Sequence, residues 1–270
     1  GSQDALTARH ERTVAVGMTK LRNKLKRWRV GPAAPQAAIP DGVIVHAVGD
    51  IHGCSDLLDD VFFRIDRDLE DFPGQQAIEI YLGDYVDRGP DSCGVIDRLI
   101  ARSHVRDVKP LRGTHDALFQ ELLDSPSRLG HWEQLGGLET MRSYGIEQRG
   151  PSTQQGLERM HAEWCAVVPP DHREFFAGLQ NSHTIGGYFF AHAGVRPGIA
   201  LDRQCEEDLL WIRDEFHRSR ADHGKVVVHA HSPVDVPDFH ANRINIDTCA
   251  YMSGNLTCLR LVGASQEIVG

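Results

Sequence analysis

The sequence predicts an α/β protein: two packed mixed β-sheets flanked by helices. Three strand–loop–helix units in succession predict the first sheet, and a strand-rich final third predicts the second. The composition is ordinary for a globular chain. Of 270 residues, 41% are hydrophobic and 25% charged, which excludes disordered, collagenous and fibrous classes.

Val43–Val48 is a short β-rich run, broken by Gly49-Asp50-Ile51-His52-Gly53. Ser55–Glu70 then carries Leu57, Leu58, Val61, Phe62 and Ile65 at helical spacing. In the second unit, Ala77–Leu82 reads as a strand, Gly83–Pro90 as a polar loop and Ser92–Arg102 as a helix. A third strand spans Asp107–Leu111, turns at Arg112-Gly113 and enters a helix through Ala117–Leu123. Crossover helices between such strands make them parallel, and ligands then bind at the carboxyl ends, where the polar loops lie.

Residues 125–180 read as helical and irregular, punctuated by Gly136-Gly137 and Gly145. By position alone this segment is expected to be a lid or substrate-selecting cap. Trp132, Trp164 and Trp211 sit among apolar neighbours and read as core. His161, His172 and His183 read as ordinary surface or hydrogen-bonded histidines. Later strands are expected at Tyr188–His192, Lys225–His229, Arg243–Asp247 and Leu256–Leu261.

Charge is uneven along the chain. The formal net charge is −9, yet residues 1–30 hold eight basic and two acidic residues, leaving 21 basic and 36 acidic residues elsewhere. Lys20, Arg22, Lys24, Lys26, Arg27 and Arg29 surround Leu21, Leu25 and Trp28 at helical spacing, so this arm could touch an anionic surface. The acidic body argues against nucleic acid as the main substrate. Residues 31–41, with three prolines and no periodicity, read as a linker. The division expected is an arm and linker over 1–41 and a catalytic domain over 42–270.

No apolar run approaches the roughly 18 residues of a membrane span, and the first residues lack the apolar stretch of a secretory signal; a cytoplasmic location is the expectation. The six cysteines form no CxxC pair, which disfavours zinc ribbons, iron–sulfur clusters and thioredoxin-type sites. Histidine is the unusual residue: there are fifteen, several of them beside aspartates.

Those pairs fall after the strands. Asp50 and His52 follow the first, Asp84 and Asp87 the second and His115 the third, while His192 and His231 follow later ones. Mixed oxygen and imidazole ligands suit Mn²⁺, Fe or Zn²⁺ rather than calcium. One carboxylate can bridge two such ions about 3.5–4 Å apart, a spacing that clamps an in-line phosphoryl displacement.

These residues resemble the phosphoprotein phosphatase family of metallophosphoesterases. Gly49–Gly53 matches that family's GDxHG, and Gly83-Asp84-Tyr85-Val86-Asp87-Arg88-Gly89 matches its GDxVDRG throughout. Arg112–Asp116 stands at RGNHE, His192-Ala193-Gly194 at HxG, and His229–Pro233 at GHTP. Leu209–Arg213 and Asn245–Thr248 look like the bacterial serine/threonine phosphatase branch. The resemblance implies a calcineurin-like sandwich with two divalent metal ions, Mn²⁺ foremost. Asp50, His52 and Asp84 would form the first metal site; bridging Asp84, Thr114, His192 and His231 would form the second. It further implies His115 as general acid, Asp87 as its carboxylate partner, and Arg88 and Arg213 as a phosphate clamp. The implied reaction is phosphate monoester hydrolysis by direct attack of a metal-bridging hydroxide, with phosphoproteins or small phosphoesters as substrates.

Four positions depart from the family pattern. Thr114 replaces a metal-ligand asparagine whose amide oxygen is the better donor and reaches one bond further. It could equally serve to cap the following helix. Asp116 replaces glutamate, Ala230 replaces glycine, and Cys249 stands where the bacterial branch usually has glycine. Two rivals stand beside the phosphatase reading. One is a dinucleoside tetraphosphate hydrolase, a branch with the GNHD-like ending that Asp116 echoes; the other is a catalytically impaired phosphate-binding protein, which Thr114 alone suggests.

Overall fold

The computed structural model describes residues 37–147 and 153–270, so the basic arm and most of the expected linker lie outside the described residues. The three predicted strands β1 (Val43–Val48), β2 (Gln76–Tyr81) and β3 (Asp107–Pro110) pair in parallel. With β4 (Ser182–Ile185), β5 (Tyr188–Ala191), β6 (Val226–His229), β7 (Asp238–Phe239), β8 (Arg243–Asn245), β9 (Cys258–Val262) and β10 (Ser265–Ile268) they form two five-stranded mixed sheets. The orders are β10–β9–β1–β2–β3 and β4–β5–β6–β8–β7. Within the second sheet β5, β6 and β8 are parallel. Sequence reading misses β4, β7 and β10, edge strands whose partly exposed residues carry no apolar run.

The sheets meet through Val45, Ala47, Ile80 and Leu82 on one side and Phe190, Val228, Ile244 and Ile246 on the other. Burial of each such side chain is worth about 1.5–3 kcal/mol relative to exposure, with the smaller Ala47 below that range. Helices α1 (Ser55–Leu69) and α2 (Ser92–Ser103) cover the outer face of the first sheet through Leu58, Val61, Ile65, Val95, Ile96 and Leu99. Asp91 caps α2 by accepting the Gly94 N–H at 3.0 Å. Next come α3 (Thr114–Asp124), α4 (Leu129–Gln134), α5 (Gly137–Ser143), α6 (Gln154–Val167) and α7 (Pro170–Ala177). These are not a detached cap: Trp132, Trp164 and Phe176 join Phe119 of α3 in the same core as α1 and α2.

Trp211 departs from the core expectation. It ends the short helix α8 (Glu206–Trp211), where Leu209 and Leu210 take the buried positions and leave the indole 48% exposed. Residues 37–41, expected as linker, lie against the body. Ala37 and Ile39 are buried, Ile39 N–H donates to Gly263, and Ala38 C=O accepts from Gly187. Two apolar side chains are too few to show a period, which conceals this contact in the sequence. Among the described residues no helix is long and apolar enough to cross a membrane.

All six parallel strands deliver their carboxyl ends to one place, and the loops there are strained. The non-glycine residues with left-handed backbone among those described are His52, Asp84, Asp87, Arg88, His231 and Cys249. Such conformations cost roughly 1–2 kcal/mol each and persist only when their surroundings fix them. Gly113 shows how close the loops lie, since a Cβ there would collide with the Asp84 backbone nitrogen and carboxylate.

Cys249, at φ +55°, needs the conformation that glycine adopts freely. Cys249→Gly is expected to stabilise the fold by about 0.5–1 kcal/mol, relief of strain exceeding the entropy cost of glycine. The test is the urea midpoint at unchanged slope. A midpoint that stays or falls would mean that packing of the thiol outweighs the strain.

Candidate metal centre

Backbone carbonyls set the histidine tautomers. His52 donates Nδ1–H to Val86 C=O and His192 donates Nδ1–H to Leu82 C=O, each at 2.8 Å, which turns both Nε2 atoms toward the cleft. Such a bond on the far nitrogen is how a metal-ligating imidazole is oriented. Burial pushes His52 down to about 3 and, with help from His192, His231 down to about 2, so both present neutral rings. Burial also opposes charge on His192, but Asp84 outweighs it and holds that ring above its usual range.

Asp84 lies at the centre. Its carboxylate is 3.5 Å from His192 Nε2 and 3.7 Å from His52 Nε2, and it accepts the His115 N–H at 2.9 Å. The donor atoms of Asp84, His192 and His231 all lie within 4.8 Å of one another, and so do those of Asp84, His52 and His115. Asp84 is therefore common to two groups, as a bridging ligand must be. Asp50 stands beside them, Oδ1 3.7 Å from His192 Nδ1.

Thr114 is buried in the first turn of α3, with Oγ1 3.4 Å from both Asp84 carboxylate oxygens. It does not cap the helix. Gly113 holds the cap position, and Asp116 accepts the backbone N–H groups of Gly113, Asp84 and Tyr85 at 2.7–3.0 Å. Asp116 thus ties the loops after β2 and β3 together, a role that the sequence does not advertise. Its burial and the neighbouring Asp84 push its carboxyl up to about 7.

His115 and Asp87 meet as expected, Nδ1 to Oδ2 at 2.6 Å. Trp132 Nε1 donates to the same oxygen at 2.8 Å, and Thr140 Oγ1 donates to the other at 2.7 Å. Both come from the 125–180 segment, which therefore buttresses this pair. The apolar neighbours of Trp132 mark it as core, but a buried indole N–H also needs an acceptor, and that need is the sequence signal for this contact. No comparable signal marks Thr140. Arg88 lies with Nη1 3.2 Å from His52 Nε2 and Nη2 3.1 Å from His115 Nε2, its guanidinium 5.0 Å from the Tyr251 ring centre. Arg213 is exposed at the rim, Nη1 3.4 Å from Ser232 Oγ, and its charge helps to depress His231.

The family model described as calcineurin-like phosphoesterase matches residues 44–261. The chain belongs to that family. Among its relatives is the asymmetrical bis(5'-nucleosyl)-tetraphosphatase PrpE of Geobacillus thermodenitrificans, 27% identical over 239 residues, covering 80% of this chain and 89% of that protein. A symmetrical bis(5'-nucleosyl)-tetraphosphatase of Acidovorax sp. is 42% identical over 160 residues, covering 57% and 44%. Among solved structures, the fold is similar to that of a candidate diadenosine tetraphosphatase, with TM-score 0.58, 22% identity and coverage of 86% and 96%. It is also similar to a cold-active protein-tyrosine phosphatase of a Shewanella species, with TM-score 0.52, 14% identity and coverage of 87% and 83%.

As a calcineurin-like metallophosphoesterase the chain calls for divalent metal ions, and its residues fit them. Asp50 Oδ1 and His231 Nε2 are buried without a hydrogen-bond partner. Burial and mutual repulsion push Asp50, Asp116 and Asp247 upward, with Asp84 acting on all three. A divalent cation would reverse that repulsion. Asp84, His52, Asp50, His192 and His231 are the residues that would hold it.

Thr114 offers a weaker oxygen than an amide would. Thr114→Asn is expected to tighten Mn²⁺ binding at the Asp84–His192–His231 group by about tenfold or more. Mn²⁺ titration with bound-metal stoichiometry measures this, and equal affinities would show that the hydroxyl suffices.

Proposed function

We propose that this metallophosphoesterase hydrolyses dinucleoside polyphosphates, with bis(5'-nucleosyl)-tetraphosphates as the substrate class. The observation that carries this reading is the set of relatives matched over about four-fifths of the chain, which bear the name bis(5'-nucleosyl)-tetraphosphatase. The site's aromatic rings support it. Trp211 stands 6.2 Å from the His231 ring and Tyr251 5.4 Å from the His52 ring, one beside each donor group around Asp84. Base–aromatic stacking contributes about 1–3 kcal/mol per base, and a phosphoserine has no ring to stack. A phosphoprotein phosphatase is the second reading, favoured by the complete GDxVDRG match at Gly83–Gly89.

In this reading, the planar donor forks of Arg88 and Arg213 bind phosphate oxygens and hold the chain in line. Bound divalent ions would supply Lewis-acid polarisation of the phosphoryl group and activation of water. His115 gives its Nε2 proton to the departing phosphate oxygen. Asp87 fixes the imidazole through Nδ1, and Trp132 and Thr140 fix Asp87.

The test compares turnover of diadenosine tetraphosphate with that of a phosphoserine peptide at saturating Mn²⁺. A kcat/KM at least about tenfold higher for the dinucleotide is expected. Trp211→Ala should raise KM for the dinucleotide by about 5–100-fold, the equivalent of one stacked base, and leave hydrolysis of a ringless monoester such as glycerol 2-phosphate unchanged. The opposite substrate order would return the phosphoprotein reading. Silence toward both with two metals bound would favour the phosphate-binding alternative.

A pH profile tests His115. Burial lowers its affinity for a proton, but the Asp84 and Asp87 carboxylates override that and raise it above the usual imidazole range. A general acid works protonated, so kcat/KM should fall as pH rises through that raised value. Asp87→Asn removes one of the two carboxylates and should move this alkaline limb to lower pH. A limb that does not move would assign the proton to another group.

A further inference from the structure

Away from the cleft, three metal-type side chains converge where α2 meets α7. Cys93 and Asp97 lie four residues apart in α2, on one helix face, and His172 projects from the first turn of α7. Cys93 Sγ, an Asp97 carboxylate oxygen and a His172 ring nitrogen all lie within 4.8 Å of one another. His172 is fully buried and already oriented, its Nε2 2.9 Å from Asp97 Oδ1 and its Nδ1 2.7 Å from Tyr144 Oη. We propose that Cys93, Asp97 and His172 form a structural site for a soft divalent cation, Zn²⁺ by ligand chemistry, separate from the catalytic centre.

The donor set carries the assignment. Thiolate, imidazole and carboxylate together suit a tetrahedral Zn²⁺ ion with water in the fourth position, whereas the two groups around Asp84 offer only oxygen and imidazole. The far nitrogen of His172 has the partner a ligating histidine needs. With Nε2 on the metal, Nδ1–H donates to Tyr144 Oη, so the imidazole proton only changes nitrogen and one proton leaves, from the Cys93 thiol. The surroundings are acidic. Partial burial and then Asp97, Asp91 and Asp171 push that thiol up to about 11, a repulsion that a bound cation would reverse.

The location gives the ion a purpose. Ser92, next to Cys93, accepts the Asp87 N–H and bonds Thr140, and the Cys93 N–H donates to Ser143 Oγ. A cation here would pin α7 to the end of α2 that adjoins the Asp87–Arg88 loop. It would thereby brace the 125–180 segment whose Trp132 and Thr140 hold Asp87.

Co²⁺ titration of the whole chain tests the proposal, because a thiolate–Co²⁺ charge-transfer band reports a cysteine ligand and none of the cleft groups around Asp84 contains one. The wild type is expected to develop the band with one Co²⁺ beyond those bound in the cleft, and Zn²⁺ should displace it. Cys93→Ser should abolish the band, and Asp97→Asn, at an exposed position, should weaken that binding about tenfold or more. Both variants should keep the cleft's metal complement. Absence of the band in wild type, or its survival in folded Cys93→Ser, overturns the proposal.

Discussion

Asp84 is the group on which the rest of the centre depends. A buried carboxylate costs several kcal/mol unless charge or hydrogen bonds compensate it. Here it must also tolerate other buried acids close by, Asp50, Asp116 and Asp247. The His115 N–H and the surrounding imidazoles supply part of the compensation and keep Asp84 ionised, well below the usual carboxylate range. The remainder falls to whatever cation the cleft receives. That requirement explains why both sheets end here, since neither alone brings His52, His115, His192 and His231 around one oxygen pair.

Bringing them together strains the backbone, and the strain is offset locally. His52, Asp84, Asp87, Arg88 and His231 all adopt left-handed conformations. Their loops are held by specific bonds: Asp116 accepts three N–H groups, His52 N–H donates to Asp84 C=O, and Arg88 N–H donates to Gly136 C=O. The last bond comes from the helical segment 125–180, as do Trp132 and Thr140 on Asp87. Two jobs expected of different parts of the chain, cleft chemistry and covering, are therefore mechanically joined.

The sequence makes the strand–loop–helix units legible because apolar spacing there is long and regular, and it makes the cleft loops legible because Asp or His recurs after the parallel strands. What it conceals depends on single tertiary contacts. Asp116 looks like a shortened glutamate and proves to be a backbone clamp. Trp211 has the apolar neighbours of a core residue, but one turn of helix aims it outward. Thr114 has the composition of a helix cap, yet its neighbour Gly113 takes that position and leaves the hydroxyl against Asp84.

Position 114 also bears on substrate. A phosphate monoester brings one phosphoryl group to the cleft and leaves the chain to supply the other ligands. There a threonine hydroxyl is a poor replacement for an amide oxygen. A dinucleoside polyphosphate carries a row of anionic oxygens, each a stronger donor to a hard cation than that hydroxyl. Its leaving group is itself a phosphate, a better leaving group than the alkoxide of serine, and asks less of His115. If Thr114 faces a bound ion, its weaker oxygen would handicap a polyphosphate less than a phosphoserine, so the departure that first argues for an impaired site also fits the proposed hydrolysis of nucleotide anhydrides.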